Sequence, residues 1–175
     1  LFVVILGVLI GMFAGFYGGV TDSILSRITD IFFGIPLVLG GILLLASFPS
    51  GPETPKWGTM GKVSVVLAIL GWTSLTRITR STVIQVKQAD YVNAARALGG
   101  DAKRILRLHV LPNALAPVIV YATIVLGIFI STEATLSYLG IGLQPPVISW
   151  GVAINDAAGL VRQSPHMLLF PAAFL

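Results

Sequence analysis

The feature that most constrains this chain is the distribution of its apolar residues, which come in uncharged blocks of membrane-crossing length. Residues 1–19, 31–48 and 111–132 carry no charge. A helix crossing the hydrocarbon core of a bilayer needs about 20 mostly apolar residues. Residues 63–75 are the core of another block, extended by their flanks to about 59–78, and residues 166–175 begin a further one. The expected spans are therefore 1–19, 31–48, 59–78, 111–132 and 166–175, five in all. Of the 175 residues, 55% are hydrophobic and 10% charged. Soluble chains carry about 25% charged residues, so a soluble domain with a large core does not fit. The expected fold class is all-α, a polytopic transmembrane helical bundle.

The sequence starts at Leu1 and stops at Leu175 inside apolar blocks, and both ends read as cuts in a single membrane domain over 1–175. Residues 1–19 do not read as a signal peptide, because no basic segment precedes them and no small-residue cleavage site follows. The chain has no cysteine, which removes disulfides and thiolate chemistry. Orientation follows from Lys and Arg, which stay cytoplasmic in short loops. Seven of the eleven, Arg77, Arg80, Lys87, Arg96, Lys103, Arg104 and Arg107, fall around or within the segment 79–110 between the third and fourth spans. That segment is expected inside, with 20–30 inside and 49–59 and 133–165 outside. Lys56 and Lys62 are a mild counter-signal, outweighed by the larger loop.

Glycine recurs every fourth residue in the first span, at Gly7, Gly11, Gly15 and Gly19. Residues four apart share a helix face, so the stripe predicts a groove where another helix comes close. Ordinary helix packing is the favoured reading over a lining for a substrate path. Pro36, with Gly34, Gly40 and Gly41, predicts a loosened or broken second span.

The segment from 90 to 117 is too ordered to be a solvated loop. Residues 90–98 are rich in helix formers, and Gly99 and Gly100 interrupt them as a C-terminal glycine does. Asp101 is placed to cap a second helix reaching about Val110. On that helix Ala102, Ile105, Leu106 and His109 share one face, and Lys103, Arg104 and Arg107 share the opposite one. Pro112 is expected at the start of the next helix, where proline is tolerated. Three roles fit this pattern equally: lying on the membrane surface, connecting two spans, or presenting a helix to a partner's groove.

A resemblance separates them. Asn93, Ala94 and Ala95, then Gly99, then His109, Val110, Leu111 and Pro112 resemble the E-A-A-x₃-G-x₉-I-x-L-P signature of ABC importer permeases. Asn93 stands where the family has an acidic residue and His109 where it has isoleucine. Residues 91–120 are similar to the dipeptide, oligopeptide and nickel branch of that family. The runs Thr132 to Pro146 and Ser149 to Gly151 are similar to it as well. So are Gly15 to Gly19 and Asp22 to Pro36. The resemblance implies a cytoplasmic coupling helix within 79–110 that docks an ATPase, with Asp90, Asn93, Ala94, Ala95, Gly99, Asp101, Arg104, Leu111 and Pro112 as coupling residues. It also implies that the family's first span and the end of its last lie outside this sequence.

The partners implied are two cytoplasmic ATP-binding subunits, a second homologous permease, an extracytoplasmic substrate-binding protein and membrane lipid, with no nucleic acid. The cargo implied is di- or oligopeptide, with nickel or another small solute as the alternative. The location implied is a bacterial or archaeal cell membrane, the inner one in a Gram-negative cell. No nucleotide-binding loop, metal cluster or paired-carboxylate site is written in the sequence, so ATP hydrolysis is expected in a separate subunit, with no cofactor and no metal here. Glu133, at the end of an uncharged span, is a candidate for the translocation path or a structural anchor. Trp57 and Trp150 read as interfacial anchors and Trp72 as packing. A secondary transporter or channel needs buried ionisable residues within its spans, and the five spans show none. A membrane scaffold docking an unrelated protein is the remaining rival.

Overall fold

The structure, a computed structural model, describes residues 1–48 and 55–175. The Pro/Gly-rich stretch at 49–54 lies outside the described residues. The described elements are helices, with no strand among them. In order they are α1 (Phe2–Tyr17), α2 (Gly19–Phe33), α3 (Leu37–Ser47), α4 (Lys56–Val86), α5 (Asp90–Ala97), α6 (Ala102–Ile105), a π turn (Leu106–Val110), α7 (Leu111–Tyr138), α8 (Trp150–Ala158) and α9 (His166–Phe174).

Among the described residues two helical runs are long and apolar enough to cross a membrane: Trp57–Val86, of 30 residues, and Ala102–Tyr138, of 37. The pair α2 and α3 is a third candidate if read as one broken span. The break falls at Gly34–Pro36, where proline removes a backbone donor and the chain restarts as α3. Helix α1 is apolar and 16 residues long.

Several boundaries differ from the sequence reading: residues 20–30, expected as a loop, belong to α2, which runs on into the first part of the expected span 31–48. Helix α4 continues to Val86, so Arg80, expected in the loop, lies with Arg77 on a candidate span. This corrects the view that the spans lack ionisable residues, and the reason is pairing. Arg80 meets Asp22, and Arg77 meets Asp30. Pro112 stands in the first turn of α7, as expected, but that helix follows the preceding segment directly. The chain runs without a gap from Ala102 to Tyr138, and the wide π turn ends just before the proline. Such a turn absorbs a residue whose missing N–H and bulky ring a regular helix interior resists.

The chain divides into two compact units, residues 1–34 with 71–125, and 35–70 with 126–175. In the first, α1 packs on α4 through the glycine stripe. A Cβ at Gly7 would lie 2.7 Å from Leu75 Cβ, and one at Gly11 would lie 2.5 Å from the Thr76 carbonyl oxygen. At Gly15 it would lie 2.8 Å from the Arg80 carbonyl oxygen. Larger residues would force the helices apart, so the packing reading of the stripe describes these three positions. Gly19, the fourth, opens α2 with a positive φ. Trp72 is buried, with its ring centroid 5.7 Å from that of Phe32.

In the second unit the core joins Leu45 of α3, Val63, Val66, Leu67 and Leu70 of α4, Leu136 of α7 and Val152 of α8. Ser149 caps α8 by accepting the Val152 N–H at 3.2 Å. Trp150, the first residue of α8, stacks on Phe174 of α9 with centroids 5.4 Å apart. Trp57 stands exposed in the first turn of α4.

Candidate functional site: the segment between α4 and α7

The first unit holds the whole segment that the sequence singled out. Helix α5 is eight residues long and stops where the backbone turns left-handed at Gly99, φ +81°. The Gly100 N–H donates to the Ala95 carbonyl at 3.0 Å and the Gly99 N–H to the Arg96 carbonyl at 2.9 Å. This is the Schellman pattern, and it satisfies carbonyls that a helix end otherwise leaves bare. A side chain at Gly99 would meet no steric neighbour, so torsion alone dictates glycine there. At Gly100 the reason is space, since a Cβ would lie 2.7 Å from the Ala95 carbonyl oxygen.

The segment is seated by a small apolar core. Val92, Ile105, Leu106, Val110 and Ala114 pack with Met12 of α1 and Val83 of α4, and Phe16, Val86, Ala89, Ala95 and Leu111 flank them. Val92 is fully buried and is the inward anchor of α5. The other side of α5 faces out: Asp90, Asn93, Ala94 and Arg96 are exposed, and Leu98 stands 89% exposed at its end.

The predicted residues sort as follows. Asp90 is the first residue of α5. Asn93 donates through Nδ2 to the Gln88 carbonyl at 3.2 Å and accepts at Oδ1 from Arg96 Nη1 at 3.1 Å. Ala94 is exposed and Ala95 half-buried. Asp101 occupies the N-cap position of α6, but its side chain makes no capping bond. Lys103, Arg104 and Arg107 are exposed, while Ile105 and Leu106 are buried, as the two-faced pattern predicts. Ala102 is exposed and His109 half-buried. Leu111 is half-buried and Pro112 exposed. From 90 to 107, four basic residues (Arg96, Lys103, Arg104, Arg107) stand against two acidic ones (Asp90, Asp101), which favours an acidic or dipolar partner surface.

Glu133 belongs to the second unit. Its carboxylate accepts from Ser137 Oγ at 2.6 Å, and Ser137 Oγ in turn accepts the Leu143 N–H at 2.8 Å. The chain of bonds ties the end of α7 to the turn that follows it.

Three cationic side chains near the segment have partners that sequence reasoning missed. Arg80 donates from Nε and Nη2 to the two carboxylate oxygens of Asp22, and Arg77 Nη2 donates to Asp30 at 2.6 Å. The guanidinium of Arg77 also lies 3.8 Å from the Phe33 ring centroid. Lys87 Nζ donates to the carbonyls of Gly15 at 2.7 Å and Phe16 at 3.4 Å, at the end of α1. The acidic pair was findable: Asp22, Ser26 and Asp30 recur every fourth residue and so share one face of α2.

Comparison with known proteins gives one family. The model of the binding-protein-dependent transport system inner membrane component matches residues 7–175. The chain is 38% identical over 171 residues to the oligopeptide transport system permease protein OppC of Bacillus subtilis, covering 98% of this chain and 53% of that protein. It is 38% identical over 173 residues to the dipeptide transport system permease protein DppC of the same organism, covering 98% and 51%. To the glutathione transport system permease protein GsiD of Pectobacterium atrosepticum it is 34% identical over 167 residues, covering 95% and 53%. The chain therefore spans about half the length of the curated relatives it matches.

Proposed function

We infer function from membership: the chain belongs to the family of binding-protein-dependent transport system inner membrane components. It forms part of the permease half of an ATP-driven importer of peptides. The relatives named for oligopeptide, dipeptide and glutathione transport share a peptidic cargo, which favours peptides over nickel. ATP is hydrolysed in separate cytoplasmic subunits, and a second permease and an extracytoplasmic binding protein complete the machine. It works in the cell membrane.

In this reading α5 is the coupling helix, and Asp90, Asn93, Ala94, Ala95, Gly99, Asp101, Arg104, Leu111 and Pro112 form or position the docking surface. The observation that carries the assignment is the construction of α5. Its inward side is fixed by Val92, its end is set by the Schellman turn, and Leu98 is left open at the tip. A surface-lying helix would turn its apolar side toward lipid, whereas α5 spends that side on the protein core. When the ATPases close on nucleotide, their clefts carry α5 with them and bias the spans between inward- and outward-open states. Glu133, held by Ser137, is assigned to shaping the outer end of α7, with contact to cargo as the alternative.

The test replaces Gly99 with valine in the assembled transporter. The variant is expected to insert in the membrane normally but to lose copurification with the ATP-binding subunits and ATP-dependent peptide uptake. Retention of both would remove the coupling assignment.

A further inference from the structure

Within the first unit, the end of α1 is held from two sides. Along its length the glycine stripe presses it onto α4, and at its tip Met12 and Phe16 enter the apolar cluster that also seats Val92 of α5. Beyond Tyr17 the last carbonyls of a helix have no partner inside it, and they form the negative end of its dipole. Lys87, the first residue after α4, takes two of them, those of Gly15 and Phe16. Three residues later α5 begins. The bond is charge-assisted, half-buried and links positions 72 residues apart in sequence. Nothing in the proposed docking surface requires a cation at this place, and the ammonium of Lys87 is engaged with α1.

We propose that Lys87 is a positioning residue for coupling: by gripping the carbonyl end of α1 it fixes the root of the docking segment to that helix, so that a displacement of α5 is delivered to α1. Arg80 supports the same junction about two turns earlier, where it holds Asp22 in the first turns of α2. Without the grip, α5 could shift on its apolar seat while α1 stayed behind. Docking and ATP hydrolysis would then continue with less transport for each nucleotide consumed. The proposal rests on the importer reading for its transport consequence, while the grip itself can be measured without it.

The test compares Lys87→Met, which keeps the length and apolar stem, with Lys87→Arg, which keeps the charge and donors. In the full transporter reconstituted in vesicles, Lys87→Met is expected to retain the ATP-binding subunits. It should lower peptide delivered per ATP hydrolysed by about tenfold, a change that one charged hydrogen bond is strong enough to make. Lys87→Arg should restore most of the ratio. An unchanged ratio in Lys87→Met, or uptake and hydrolysis falling together so that the ratio stays constant, overturns the coupling role. Amide hydrogen exchange on the same purified complexes supplies the independent readout. Lys87→Met should raise exchange at residues 15–19 and 88–101 together, and unchanged exchange at either overturns the grip. If the wild-type complex takes up no peptide, the importer reading falls, and the exchange result still decides the grip.

Discussion

Arg80 holds Asp22 by two parallel hydrogen bonds, Nε to Oδ1 and Nη2 to Oδ2, across 58 positions of sequence. Ser26 Oγ donates to the same carboxylate at 3.0 Å, so one acidic side chain joins the first turns of α2 to the C-terminal half of α4. The fork geometry of a guanidinium suits this pairing, and lysine would not reproduce it.

Removing one partner should therefore cost more than removing both charges in exchange. Arg80→Met leaves the half-buried carboxylate without its main partner, and a loss of about 1–3 kcal/mol is expected. The double exchange Asp22→Arg with Arg80→Asp should recover part of it. Thermal unfolding of the purified permease in detergent reads both, and equal losses in the single and double variants would show that the pair is not a unit.

Glycine positions separate cleanly by their surroundings. Gly11→Ala puts a Cβ 2.5 Å from a carbonyl oxygen and should destabilise by about 1–3 kcal/mol through strain between α1 and α4. Gly127→Ala, in the interior of α7 with no atom within 4 Å, should gain about 0.5–1 kcal/mol from reduced backbone freedom. Melting temperatures of the two variants should move in opposite directions.

Leu98→Ala tests the tip of α5. Because the side chain is 89% exposed, folding stability should stay within about 0.5 kcal/mol of wild type. Affinity for the ATP-binding subunits should nevertheless fall by about tenfold or more, as for an apolar anchor that enters a pocket. Titration of the permease with purified ATPase gives the answer, and an unchanged dissociation constant would place the contact elsewhere on α5.

The C-terminal end of α7 offers a separate check. Ser137→Ala leaves the buried Leu143 N–H without its acceptor, and about 1–3 kcal/mol of stability should be lost. Glu133→Gln keeps an acceptor for Ser137 and removes the charge. Uptake unchanged in that variant assigns Glu133 to structure, and uptake abolished with stability intact assigns it to the path.

How much of this was written in the sequence differs from residue to residue. The glycine stripe, the break at Pro36 and the helix–Gly–Gly–helix pattern of 90–110 are legible because each rests on local geometry. The burial of Ile105 and Leu106 opposite exposed Lys103, Arg104 and Arg107 follows from helical periodicity alone. The extent of α4 was not legible, because a hydropathy reading stops at Arg77 and Arg80, whose charges are answered by Asp22 and Asp30 from a distant segment. Pro112 is legible as the first turn of α7, whereas the π turn that joins that helix to the segment before it is not. Lys87 was beyond reach altogether, since its partners are backbone carbonyls, and a carbonyl carries no residue identity. Asp101 shows the opposite limit, a residue type suited to a cap at a position where its side chain does not form one.

If α5 docks an ATPase as proposed, the turn that ends it also limits how the docking tip can vary. Gly99 is fixed by its torsion and Gly100 by the space the Ala95 carbonyl leaves it, so two consecutive positions admit almost no alphabet. Val92, closed in the core, admits only residues of similar volume. Under that proposal, the freedom to distinguish one ATPase from another contracts to the outward letters, Leu98 and the polar residues beside it. Two importers sharing a cell would keep their motors apart by rewriting those few side chains and the pockets that receive them, on a backbone that neither could change.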